Sequence, residues 1–123
     1  SPLFSYKKGG ILLAKLETTL HGNFSEILRA IDSAVLDSSF TASLEEESRF
    51  QSSMGRCVLR VYERYSALGG NRVSLCVLLL ETAQGIRFSA ITSGGSQAMF
   101  LKLNIVGEEA FLDTLSAAVT RYQ

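Results

Sequence analysis

Two neighbouring stretches in the middle of the chain have the pattern of β-strands, and in the first of them apolar and polar positions alternate with a period of two. Residues 57–65 and 72–81 are rich in aliphatic, aromatic and β-branched side chains, and a break at Gly69–Gly70 separates them. Period-two alternation indicates β-strands, and the Gly-rich break predicts a hairpin. We expect the rest of the fold to be built around this hairpin.

The register of the hairpin decides which side chains face the core. In the first arm, the apolar set that begins at Cys57 alternates with a set that includes Arg60, and the apolar set is expected to face inward. The second arm is apolar on both faces. A two-residue turn at Gly69–Gly70 would place Leu78 beside that apolar set, whereas a three-residue loop at 68–70 places it beside the arginines. The three-residue loop gives the better burial, and we predict it.

This register predicts an outer sheet face that the helices leave uncovered, because a strand that is apolar on both faces is usually covered on both. Such a face is a candidate surface for contact between two copies of the chain. The predicted interface residues are Arg60, Tyr62, Arg64, Cys76, Leu78 and Leu80.

Two stretches have the 3.6-residue periodicity of amphipathic helices. The first follows Asn23, which is expected to cap it together with Glu26, and its apolar stripe runs from Phe24 to Val35. The second is expected to open at Gly107–Glu109 and continue to the C-terminus. Both helices must bury one face, so both are expected on the same side of a sheet.

Further strands are predicted on either side of the hairpin, at residues 11–20, 40–44, 86–91 and 98–104. The acidic run Glu45–Glu47 is expected to be a solvated strand end or loop. The order strand, helix, strand meander, helix predicts an α+β fold, with a curved antiparallel sheet of about five or six strands and two helices on one face.

Residues 1–12 are expected to lie outside this domain, which is assigned to residues 13–123. Lys8-Gly9-Gly10 can be encoded by a purine-rich ribosome-binding sequence, with a start codon at Leu13, so residues 1–12 can be a translated leader. The alternative is a disordered N-terminal tail.

Composition narrows the functional classes. The chain has 123 residues, 46% hydrophobic and 20% charged, as expected for one globular domain. Twelve basic and twelve acidic residues cancel, which argues against binding to nucleic acid. The apolar run at residues 77–80 is too short to span a membrane.

The two cysteines, Cys57 and Cys76, are predicted to lie on opposite faces of the hairpin and therefore to remain free thiols. Free thiols favour a cytoplasmic location. The cysteines and the single histidine lack the spacing of a zinc site, and no cofactor is predicted.

Catalytic chemistry has weak support in the sequence. His21, near Glu17 and Glu26, is a conceivable general base, although a residue before a helix more often shapes the turn. A second Gly-rich segment could bind an anion with its backbone N–H groups and hydroxyls, although it lacks the P-loop pattern. Its candidate ligand-binding residues are Ser93, Gly94, Gly95, Ser96 and Gln97.

Four stretches resemble a family of small bacterial proteins catalogued only as a domain of unknown function. They are residues 61–65, 69–75, 90–98 and 107–113. The resemblance extends from about Leu13 to Tyr122 and implies no activity or site residues. The order of elements is also similar to half of a TATA-binding-protein-like fold or to a reduced helix-grip fold, which by itself implies no function.

Two functional hypotheses follow. The first is a non-catalytic binding or self-association module, a homodimer that uses the outer face of the sheet. The alternative is a small-molecule binding protein or minor enzyme that uses the Ser93–Gln97 loop. The first requires an exposed apolar sheet face, and the second requires an enclosed pocket with convergent polar groups.

Overall fold

The computed structural model describes residues 3–7, 13–65, 72–94 and 114–123. Residues 114–120 belong to a helix, α2. The other elements, in chain order, are β1 (Leu3–Lys7), β2 (Leu13–Leu20), α1 (Phe24–Leu36), β3 (Ser43–Ser52), β4 (Gly55–Tyr65), β5 (Arg72–Thr82) and β6 (Gly85–Gly94). The predicted α+β class is confirmed.

The strands form one antiparallel sheet in the order β1-β2-β6-β5-β4-β3. Two hairpins close with two-residue turns, because Ser52 pairs with Gly55 and Thr82 pairs with Gly85. Gly55 has a φ of +143°, and a Cβ there would lie 2.7 Å from the carbonyl oxygen of Glu81. Glycine is therefore required at this position by both its backbone conformation and the close approach of β5.

Helix α1 forms where the sequence predicts it. The side chain of Asn23 accepts a hydrogen bond from the backbone N–H of Glu26 at 2.9 Å, which satisfies one of the free donors of the first turn. The helix buries the predicted stripe against the sheet, with Ile27 and Ile31 fully buried.

One hydrophobic core lies between the helices and the inner face of the sheet. Helix α2 contributes Leu115 and Val119, and the C-terminal segment adds Tyr122, whose carbonyl oxygen accepts a hydrogen bond from His21 N at 2.6 Å. The strands contribute alternate residues, as a half-covered sheet requires. The core residues of the strands are Leu16, Leu20, Val58, Tyr62, Val73, Leu75, Val77, Leu79, Ile86, Phe88 and Ala90.

The predicted register of the central hairpin is wrong. Tyr65 pairs with Arg72, Tyr62 with Leu75, and residues 66–71, outside the described residues, connect the two strands. In the register predicted from the three-residue loop, the face of β4 that carries Cys57 is on the core side. In the observed register, the opposite face of β4 is on the core side. The inner face of β4 therefore carries Tyr62, which is 0% exposed, and Arg60, which is 9% exposed.

The reversal of β4 also corrects the argument about the cysteines. Both thiols are free. However, both lie on the outer face, because Cys57 pairs with Leu80 and Cys76 pairs with Val61. They are four residues apart along the hairpin, or about 13 Å at a rise of about 3.3 Å per residue, which is too far for a disulfide.

Strand β3 extends beyond its predicted limits. The acidic run Glu45–Glu47 lies within the strand, and a bulge interrupts its pairing with β4 between Leu44 and Glu46. Because β3 is an edge strand with one free side, its charged residues remain solvated within regular structure.

Three other predictions concern the ends of the chain. Leu3–Lys7 pairs with β2 as strand β1, while the origin of residues 1–12 as a leader or tail stays a prediction. The strand predicted at 98–104 and the helix start predicted at Gly107 lie outside the described residues. In the described part of the chain, neither helix has the length and apolar character needed to cross a membrane.

Candidate interaction surface

A buried polar cluster lies on the inner side of the sheet, beneath the second half of α1. The guanidinium of Arg60 donates to Asp32 Oδ1 on the helix at 3.0 Å and also pairs with Glu47 on β3. The Tyr62 hydroxyl donates to the same Asp32 oxygen at 2.9 Å and accepts from Arg60 Nη1 at 3.1 Å. The cluster thus joins α1, β4 and β3, with the charge of Arg60 balanced by two carboxylates.

Two pKa values reflect this environment. Burial raises the pKa of Tyr62 to about 12, because the phenolate is poorly solvated inside the fold. The hydrogen bond from Arg49, reinforced by Arg60, holds the pKa of Glu47 below its usual value. Both groups therefore remain in their ordinary charge states near neutral pH, as expected of a structural cluster.

Arg64 also lies on the inner side, at the wall of an open cleft of about 750 Å³ beyond the C-terminal end of α1. Burial lowers the pKa of Arg64, and its Nη1 donates to Ser38 Oγ at 3.3 Å. The Asp37 carboxylate lines the same cleft, and the Ser39 hydroxyl is hydrogen-bonded to Thr41. These groups do not form a convergent anion site, because an acid and internally bonded hydroxyls share its wall.

The strand registers align alternate residues from β2 to β3 into rows on the outer face of the sheet, and three adjacent rows form its middle. Each row crosses the strands in the order β2, β6, β5, β4, β3. The first row is Lys15, Ile91, Cys76, Val61 and Glu46. The second is Glu17, Ser89, Leu78, Leu59 and Ser48, and the third is Thr19, Arg87, Leu80, Cys57 and Phe50.

Apolar side chains occupy the middle of these rows and form a contiguous patch. Leu59 is 38% exposed, Leu80 40%, Ile91 38% and Phe50 67%. The remaining members are half-buried by their neighbours on the sheet. We call this surface the outer patch, which consists of Phe50, Cys57, Leu59, Val61, Cys76, Leu78, Leu80 and Ile91.

Polar and charged residues surround the outer patch. On the β2 side, Lys15 pairs with Glu17 at 3.6 Å, and Glu17 accepts a hydrogen bond from Ser89 at 3.0 Å. On the opposite side, Glu46 on β3 is exposed. An apolar centre with a polar rim is the usual anatomy of a protein–protein interface.

The structure divides the six predicted interface residues between the two sides of the sheet. Cys76, Leu78 and Leu80 lie on the outer face as predicted. The prediction that the same face also carries Arg60, Tyr62 and Arg64 is wrong, because these three residues point toward α1. Leu59 and Val61 take their place on the outer face, so the surface is more apolar than predicted.

The alternation of apolar and polar residues in β4 does not by itself explain why Arg60 is buried. Buried charge is tolerated when it is paired, and the partners of Arg60 come from Asp32 and Glu47, which are distant in the chain. One signal was present in the sequence. Asp32 lies four residues after Leu28 and three before Val35, so it borders the buried stripe of α1 and can reach a cation beneath the helix.

The other predicted site residues are not brought together. Ser93 is exposed at the end of β6, Gly94 is the last residue of that strand, and Gly95, Ser96 and Gln97 lie outside the described residues. His21 is exposed, and Glu17 is on the outer face of β2, bonded to Ser89. Among the residues that the structure describes, no cluster of potential metal ligands is found.

Comparison with family models gives a match over most of the chain. The model of a family of unknown function, DUF6054, matches residues 13–123. No curated protein matches the chain. The matched range agrees with the extent of the resemblance seen in the sequence, and its start coincides with the first residue of β2. The chain therefore belongs to the DUF6054 family of proteins of unknown function.

Proposed function

We propose that this protein is a non-catalytic self-association module, in which two copies pack together through their outer patches. The observation that carries the proposal is the exposure of Leu59, Leu80 and Ile91, each by more than a third, in the middle of a sheet whose other face packs against the helices. A contiguous apolar patch of this kind is unfavourable in water and marks a contact surface. The bacterial origin and cytoplasmic location remain predictions.

A second copy of the same chain is the partner that the surface fits best. The net charge of the chain is zero, so copies do not repel each other over long distances. Contact through the edge of β3 is disfavoured, because Glu45–Glu47 and the bulge near Leu44 interrupt the pattern that strand addition requires. Face-to-face packing of two sheets, by contrast, uses side chains alone.

The size of the outer patch predicts a weak dimer. Together with its polar rim, the outer patch covers five strands about 4.8 Å apart and three rows about 7 Å apart, which is roughly 24 by 20 Å, or about 500 Å² per copy. The total of about 1,000 Å² is near the lower limit for a specific interface, where transient complexes are found. We therefore expect dissociation in the micromolar range.

Sedimentation velocity over a range of micromolar concentrations tests the proposal. The unmodified protein should shift from monomer to dimer, and Leu78→Glu should remain monomeric, because it places a charge at the centre of the outer patch. Ser25→Glu is the matched control, since it adds the same charge at an exposed position of α1. Leu59→Lys serves as a second disrupting variant of opposite charge.

The unfolding transitions of the variants separate loss of association from loss of folding. Both disrupting variants should unfold cooperatively as monomers. An unmodified protein that is monomeric at every concentration would refute self-association. A Leu78→Glu or Leu59→Lys protein that dimerises as strongly as the unmodified chain would show that the outer patch is not the interface.

A further inference from the structure

We infer that the two copies are related by a two-fold axis that runs in the plane of the interface, nearly parallel to β5. The inference rests on the proposed self-association and specifies its symmetry. β5 is the middle strand of the five from β2 to β3, with two strands on either side. The outer patch extends over β6, β5, β4 and β3, so an axis along β5 brings most of both patches into contact.

This axis pairs unlike positions across each row of the outer face. Rotation about β5 places β2 of one copy over β3 of the other and β6 over β4. In the first row, Lys15 then faces the partner's Glu46 and Ile91 faces the partner's Val61, while Cys76 lies opposite its own counterpart. Each dimer thus contains two Lys15–Glu46 contacts, one at each side of the interface.

The alternative axis lies in the same plane but runs perpendicular to the strands through Leu78. It exchanges the first and third rows, so Lys15 would face Thr19 and Ile91 would face Arg87. In the second row Glu17 would face a second Glu17 at close range. Because this arrangement opposes like charges and leaves Lys15 and Glu46 without charged partners across the interface, the axis along β5 is preferred.

Charge exchange between Lys15 and Glu46 tests the axis. In Lys15→Glu the new carboxylate faces the partner's Glu46, and in Glu46→Lys the new ammonium faces the partner's Lys15. Each variant alone should dimerise about five- to thirtyfold more weakly than the unmodified protein at low ionic strength, since two contacts change sign. An equimolar mixture of the two variants, and the double variant, should each restore dimerisation, because opposite charges then face each other again.

Arg29→Glu is the matched control for charge reversal. Arg29 is exposed on α1, on the other side of the sheet, so its reversal should change dimerisation by less than about twofold. In a mixture of Arg29→Glu with Glu46→Lys, the heterodimer should be weaker than the heterodimer of Lys15→Glu with Glu46→Lys, because one of its two contacts then opposes two lysines. The mixture experiment also separates a contact between copies from the pair that Lys15 forms with Glu17 within one chain.

Cross-linking supplies an independent measurement of the same axis. In Cys57→Ser, the remaining Cys76 thiols lie opposite each other, and a short bismaleimide should join the two copies efficiently. In Cys76→Ser, the two remaining Cys57 residues are two strands apart sideways and lie on opposite sides of the interface, so the distance between them is about 14 Å. The same reagent should join them poorly. The perpendicular axis would separate the Cys76 pair by about 13 Å along the strands.

The outcomes for the axis and for self-association are distinct. If the unmodified protein is monomeric, self-association itself is refuted. If the protein dimerises and loses the dimer in Leu78→Glu, but the charge mixture restores nothing and Cys76 is not cross-linked, then the axis along β5 is refuted while self-association stands. Restoration by the mixture together with Cys76 cross-linking would establish the axis.

Discussion

At the scale of single residues, Arg60 has the most unusual position in the fold. Its side chain is only 10% exposed, although it is long and carries a full positive charge. An unpaired charge at this depth would be very costly, but Arg60 has Asp32 and Glu47 as counterions and Tyr62 as a further hydrogen-bond partner. The polar cluster therefore fixes which face of β4 meets α1.

Replacing Tyr62 with phenylalanine tests the contribution of the hydroxyl to this cluster. Tyr62→Phe should lower the free energy of unfolding at neutral pH by about 1–2 kcal/mol, because Asp32 and Arg60 lose a shared buried partner. Urea unfolding monitored by circular dichroism measures the change. Tyr65→Phe is the matched control and should stay within roughly 0.5 kcal/mol, because Tyr65 is 49% exposed.

The effect of Tyr62→Phe should also depend on pH. Burial raises the pKa of Tyr62 from 10.0 to about 12, so the folded state favours the neutral phenol. That stabilisation is fully present below pH 10 and is lost as the pH rises toward 12. The difference in unfolding free energy between the two proteins should narrow over this interval. A difference that stays constant or grows would contradict the assigned cause of the shift.

At the scale of elements, α1 is stabilised at its N-terminal end and along one face. Asn23 caps its first turn, and the apolar stripe from Phe24 to Val35 packs on the inner face of the sheet. The polar cluster adds a directional contact at Asp32, in the second half of the helix. Packing supplies most of the stability, since a helix of this length is marginal by itself.

Truncation of the buried stripe should be costly. Ile27→Ala and Ile31→Ala should each reduce the free energy of unfolding by about 2–5 kcal/mol, because both side chains are fully buried and each truncation leaves a cavity. Arg29→Ala should change it by roughly 0.5 kcal/mol or less, as expected for an exposed position. Chemical denaturation of the three variants gives the comparison, and similar losses at all three positions would be inconsistent with the observed orientation of α1.

At the scale of the whole molecule, the two faces of the sheet differ in how their polar groups are arranged. The inner face carries paired charges within an apolar core, whereas the outer face has an apolar centre and charges at its margins. Strands β6, β5 and β4 are paired on both sides, so their backbone polar groups are satisfied whatever covers the outer patch. Covering that patch therefore costs little desolvation of polar groups.

The dimer predicts a thermal midpoint that depends on protein concentration. A hundredfold increase within the micromolar range should raise the midpoint of the unmodified protein by about 3–8 °C, because association stabilises only the folded chain. Leu78→Glu should show no such dependence, and Ser25→Glu should behave like the unmodified protein. Differential scanning fluorimetry is sufficient, and equal midpoints at all concentrations for every protein would contradict a dimer of folded chains.

Local patterns in the sequence were sufficient to predict individual helices and strands. The cap at Asn23 and the stripe of α1 follow from residues within one or two helical turns, and the structure confirms both. The two arms of the hairpin and strand β6 follow from runs of β-branched, aromatic and aliphatic residues, from period-two alternation in the first arm, and from the turn at Gly85. These features depend on neighbours in the chain, which is why a single sequence predicts them, along with the α+β class. The thiols are free as predicted, but their separation along the hairpin explains this, not a position on opposite faces.

The tertiary structure alone decided which way β4 faces. In the sequence, the set with Cys57, Leu59 and Val61 is the more apolar, and burying it is the natural inference. The structure buries Arg60 and Tyr62 instead, because Asp32 and Glu47 supply partners from elements that lie 28 and 13 residues away. Period-two alternation contains no information about such distant partners. The sequence therefore predicted that one face of the sheet is uncovered. Which residues of β4 lie on that face was decided by the pairing of Arg60 with Asp32 and Glu47, which are distant in the chain.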